Sequence, residues 1–129
     1  MESINKLSPY AHWALRIAFG SVFIFHGVQK FTNLSGGAQM MGMPVAVWGL
    51  VAFLETLGGI LVLLGAFLPD WATRVGGLLV IPVMIGAIAM VHWPQWSFAP
   101  TESAPMGGME FQTSMVLLGV YFLLRGKDI

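Results

Sequence analysis

The sequence predicts an all-α polytopic membrane protein, an antiparallel bundle of four transmembrane helices. Three observations predict it. The chain of 129 residues is 57% hydrophobic and only 9% charged, whereas about a quarter of residues in a soluble domain are charged. Mean hydropathy is +0.78. Four apolar runs fill most of the chain, each long enough for the roughly 20 residues of a bilayer crossing. The few ionisable residues inside those runs fall on restricted faces.

The runs place helices at about residues 9–31, 45–68, 72–93 and 108–125, within a single domain spanning 1–129. Pro9 suits a first helical turn, where its missing N–H would be unpaired anyway, and Pro44 opens the second helix in the same way. Pro69-Asp70-Trp71 is too short a link for anything but antiparallel neighbours. Pro82 lies midway along the third helix, where it removes a hydrogen bond to Leu78 and predicts a kink. Gly58-Gly59 and Gly76-Gly77 allow close helix approach, as do Ala14 and Ala18. No strict GxxxG is present, and the two halves show no sequence repeat.

The N-terminus does not read as a cleaved signal peptide, because the run after Ser8 spans a full membrane and carries Arg16 and His26. No lipid-anchor motif is read at either end. The side holding both termini, here the terminal side, carries Lys6, Arg74, Arg125 and Lys127, whereas the opposite side carries Lys30. The excess of positive charge predicts cytoplasmic termini. The opposite side, here the loop side, holds the long segments 32–44 and 94–107, rich in Gly, Met and aromatic residues. These segments either fold over a site or anchor the chain at the interface through Trp93 and Trp96.

Zero net charge offers no basic surface for nucleic acid. Without cysteine, the chain itself provides no disulfide, thiolate metal site or iron–sulfur cluster. Function is therefore sought in the intramembrane ionisable residues, which are costly in hydrocarbon. At 100° per residue, with Arg16 at zero, His12 and Lys30 lie near −40° and His26 near −80°. Such a stripe faces the bundle interior or a cavity. His26, Lys30, His92 and Glu110, from three helices, are expected to converge at one level on the loop side. Glu55 lies about 15 Å into the second helix, near the midplane, and Arg16 is a candidate partner for it. Each has a structural alternative: a hydrogen-bonded histidine, a snorkelling Lys30, or Glu110 as a first-turn carboxylate.

These residues carry a resemblance to DoxX/DoxD-like membrane proteins over about residues 12–125. It rests on Leu15-Arg16-Ile17-Ala18-Phe19-Gly20, His26-Gly27-Val28-Gln29-Lys30-Phe31, Leu54-Glu55-Thr56-Leu57-Gly58-Gly59, Val91-His92 and Gly108-Met109-Glu110-Phe111. The resemblance implies a four-helix membrane protein linked to redox chemistry. DoxD-type members are subunits of thiosulfate:quinone oxidoreductase. On that basis the first expectation is a subunit, in a bacterial or archaeal plasma membrane, that binds quinone or organises a membrane or periplasmic redox partner. His26, Gln29 and His92 are candidate donors to a quinone, Glu55 and Glu110 candidate proton relays, and Lys30 a site for an anion. The alternative is a non-catalytic accessory subunit packed on a larger respiratory or photosynthetic complex. Haem b held by His26 and His92 is a lesser reading, and transport along Arg16, Glu55 and His26 a lesser one still.

Overall fold

A computed structural model describes residues 1–128. Among them the chain is helical, with no strand. A short α1 (Glu2–Asn5) and a 3-10 turn (Ser8–Tyr10) lead into α2 (His12–Thr32). Then follow α3 (Leu34–Met41), α4 (Val45–Leu64), α5 (Asp70–Ala87), which continues as a π-helical turn over Ile88–His92, and α6 (Glu110–Arg125). Ser8–Thr32, Val45–Leu64 and Asp70–His92 are long and apolar enough to cross a membrane. The 16 residues of α6 rise about 24 Å. Ile17, Phe25, Leu50, Phe53, Leu78, Ile85 and Leu117 are exposed on the outside of the bundle, as a lipid-facing surface requires. The chain is a multi-pass helical membrane protein.

Two expectations change. The segment 32–44, expected as a loop, contains α3. Asn33 caps this helix by accepting the Gly36 N–H at 3.0 Å. Gly42 ends it at φ +63°, a left-handed conformation that glycine adopts without steric strain. The second long helix stops at Leu64 rather than 68, where the chain turns and the Phe67 N–H returns to the Leu64 carbonyl.

The long helices pack in chain order, α2 on α4, α4 on α5 and α5 on α6. In lipid, association depends on close packing rather than on expulsion of water. One glycine pair makes each of these contacts tight. A Cβ on Gly59 would lie 3.0 Å from the Gly20 oxygen, one on Gly58 3.0 Å from the Gly76 oxygen, and one on Gly119 3.1 Å from the Gly77 oxygen. Each adjacent pair, Gly58-Gly59 and Gly76-Gly77, thus divides its two members between the two neighbouring helices.

The fold reads as two hairpins, α2–α4 and α5–α6, and each carries the same fastening on the terminal side. Arg16 of α2 is fully buried and donates to the Val62 carbonyl at 2.6 Å, in the last turn of α4. Arg74 of α5 donates to the carbonyls of Leu123 and Leu124, in the last turn of α6. Both arginines satisfy helix-end carbonyls and face the negative end of a helix dipole. The repeat that the letters of the sequence do not display is present in its contacts. Arg16 also donates to Thr73 Oγ1 at 3.0 Å, which ties the first hairpin to the second. Next to it the core closes with Phe19 against Phe23 and Phe122, at ring separations of 4.7 and 5.2 Å.

Candidate ligand cavity

Toward the loop side the hairpins part around a cavity of about 420 Å³. Val22, Phe23, Val51, Val83, Met84 and Ala87 form much of its apolar wall, and Lys30, Glu55, His92 and Gln112 are its polar members. His26 also reaches it, from an exposed position. A second cavity of about 270 Å³, lined by Met40, Met41, Met90, Val91, Pro105 and Met106, adjoins the first and shares five of these residues with it. Methionine side chains are flexible and polarisable, which suits an adaptable opening. α3 supplies two of them and so forms part of the cavity rather than a connection around it.

Glu55 is 3% exposed, and its Oε2 lies 2.6 Å from Lys30 Nζ. Lys30 Nζ also stands 5.2 Å from the centre of the Trp48 ring, within range of a cation–π contact. This arrangement corrects the pairing of Arg16 with Glu55. The antiparallel register places Gly27 against Thr56, and Arg16 lies about 11 residues, roughly 16 Å, earlier along α2. Glu55 therefore finds Lys30, and Arg16 finds the end of α4. His12 completes the Arg16 cluster, its Nδ1 accepting the Arg16 Nε–H at 3.2 Å.

On the second hairpin His92 is buried between two partners. Its Nδ1 lies 2.8 Å from the Gly107 carbonyl oxygen and its Nε2 2.9 Å from Gln112 Nε2. A carbonyl only accepts, so Nδ1 carries the proton. In the neutral ring Nε2 then accepts from the Gln112 amide. Both nitrogens of His92 are engaged, and axial ligation of a haem would require one of these bonds to break.

The buried seam of α2 runs through Arg16, Phe19, Gly20, Phe23 and Gly27. His26, about 80° from Arg16, falls at the edge of that seam, at the rim of the cavity. Gln29, about 140° away by the same geometry, is exposed and does not line the cavity. Glu110 also lies outside it. Its Oε2 accepts the Phe98 N–H at 3.2 Å, while its backbone N–H bonds the Trp96 carbonyl. With Gly108 N–H to Ser97 and Met109 N–H to Gln95, these bonds fold 94–107 back onto the start of α6. Of the residues singled out from sequence, the cavity gathers His26, Lys30, Glu55 and His92, and leaves aside Arg16, Gln29 and Glu110. Trp48 and Gln112 join it without having been singled out. A polar amide inside a predicted span is a cue by which Gln112 could have been found.

Comparison with known proteins identifies a relative and a family. A protein of Bacillus subtilis (strain 168) named "Putative oxidoreductase CatD" is 32% identical over 127 residues, covering 96% of this chain and 85% of that protein. No solved structure matches the chain. The family model described as DoxX matches residues 11–93, a stretch that takes in Arg16, His26, Lys30, Glu55 and His92. By that match and that relative, the chain belongs to the DoxX family.

Proposed function

We propose that the protein is a redox-associated membrane subunit that binds a quinone in the cavity between its hairpins. The observation that carries this reading is the composition of the cavity wall: an apolar surface with a part-buried Lys30–Glu55 pair on one hairpin and the His92–Gln112 pair on the other. An apolar slot with a few fixed polar groups is the usual form of a small-molecule site. Quinone fits such a slot, because a hydrophobic ring bears two oxygens that need hydrogen-bond partners. The name of the Bacillus subtilis relative and the family support the link to redox chemistry.

When bound, quinone supplies an acceptor for two electrons and two protons. Phe23, Val83 and Met84 hold a ring and keep water out. Glu55 exchanges a proton at its carboxylate, and Lys30 compensates the charge that remains. His92 is held in one tautomer by Gly107 and orients Gln112. His26, at the rim, is placed to pass protons between the cavity and the outside. Arg16 and Glu110 act through the fold, by fastening α4 and the 94–107 segment.

With both termini cytoplasmic, the cavity opens toward the outer face of a bacterial or archaeal plasma membrane. A chain without cysteine would rely on a separate membrane or periplasmic redox subunit for electrons. Native mass spectrometry after gentle membrane extraction tests the reading. Quinone bound to this subunit, alongside stoichiometric redox partners, is the expected result. Co-migration with a large assembly, with no quinone on this subunit, would overturn it.

A further inference from the structure

The cavity wall holds donors in Lys30 and His26, but on each hairpin one acceptor that faces no donor remains, and such an acceptor suits a hydroxyl rather than a carbonyl. Lys30 occupies one carboxylate oxygen of Glu55, Oε2, and no described residue donates to the other. On the opposite hairpin, the Gln112 amide N–H is used on His92, and its Oε1 is buried with no partner. This assignment follows from Gly107, whose carbonyl fixes the proton on His92 Nδ1 and so turns the Gln112 nitrogen toward Nε2. The unpaired donor nearby, Trp48 Nε1, is turned to α3: it is the first atom that a Cβ on Gly37 would meet.

We infer that the site selects the reduced, dihydroxy form of its ring ligand, with one hydroxyl donating to Glu55 and the other to Gln112 Oε1. The inference rests on the quinone reading and adds a direction to it. A carbonyl oxygen placed against either acceptor gains nothing and leaves the acceptor unsatisfied, whereas a hydroxyl satisfies both partners. Gln112 is then the residue that discriminates oxidation state, and His92 positions it. Preference for the reduced form makes the bound couple more oxidising than the free one. A tenfold preference corresponds to about 30 mV for a two-electron couple.

The test is equilibrium binding to the full chain in lipid nanodiscs, under anaerobic conditions, with duroquinone and durohydroquinone as probes and tryptophan fluorescence as readout. The expected result is durohydroquinone binding about tenfold or more tighter than duroquinone. Gln112→Leu should then remove most of that difference by weakening the quinol alone. Equal affinities, or tighter binding of duroquinone, would overturn the inference and leave the quinone site standing. Binding of neither probe would sink the site itself. The comparison of two ligands on the unmodified protein carries the test even where a variant fails to fold.

Discussion

Lys30 and Glu55 face each other across α2 and α4 at 2.6 Å, with the Lys30 side chain 17% exposed and that of Glu55 4%. The glutamate depends on its partner more than the lysine does, because Lys30 retains a route to the surface. Removing either member leaves an unpaired charge in a poorly solvated wall. Lys30→Met is expected to destabilise the protein by about 2–4 kcal/mol, and the double variant Lys30→Met/Glu55→Leu by less than Lys30→Met alone. Denaturant titration in detergent would measure both. A double variant less stable than the single would refute the argument.

Arg16 should matter for stability and not for ligand binding. It bonds the Val62 carbonyl, Thr73 and His12, yet stands outside the cavity. Arg16→Leu should lower stability by about 2–3 kcal/mol. Quinone affinity, measured at a temperature where the variant is folded, should remain within about twofold. A large loss of affinity would place Arg16 in the binding machinery.

The glycines should separate into two classes. Gly77 is pressed against α6, where a Cβ would collide with the Gly119 carbonyl, whereas a Cβ on Gly86 meets nothing within 4 Å. Gly77→Ala is expected to force α5 and α6 apart and to destabilise by about 2 kcal/mol or more. Gly86→Ala should raise stability by about 0.5–1 kcal/mol through helix propensity. Thermal unfolding of the two variants in one detergent decides the matter.

Asn33 provides a test of α3. Its side chain caps the helix that carries Met40 and Met41 to the opening of the cavity. Asn33→Ala should weaken α3 by about 1 kcal/mol. Faster hydrogen exchange at residues 36–42 is the expected readout, with α4 and α5 unchanged. Unaltered exchange in α3 would show that packing against α4, not the cap, holds it.

The membrane architecture is legible in the sequence because lipid imposes one rule on every span: an apolar exterior and internally satisfied backbone. The residues of the site are only partly legible. His26 and Gln29 lie close together in sequence with Lys30, but the buried seam of α2 is narrow, and turns of about 80° and 140° carry them to its edge and its far face. The partner of Glu55 depends on how far α2 slides along α4. Gly20, Gly27 and Gly59 set that register through contacts between helices, and no local pattern encodes it. α3 is different, since its cues are in the letters: Asn33 as a cap and Gly42 as a stop, on either side of eight residues. Its shortness hides it from a reading that looks for spans.

The duplicated arginine fastenings have a mechanical consequence. Among the described residues, Arg16 to Thr73 is the hydrogen bond between the hairpins, and it lies beside the Phe19–Phe122 contact at one end of the molecule. Lys30–Glu55 and His92–Gln112 each stay within a single hairpin. Away from that end the two halves are held together by side-chain packing, chiefly of α4 on α5, and not by hydrogen bonds. Widening the cavity would therefore work against apolar contacts between α4 and α5 while leaving the polar pairs inside each hairpin intact.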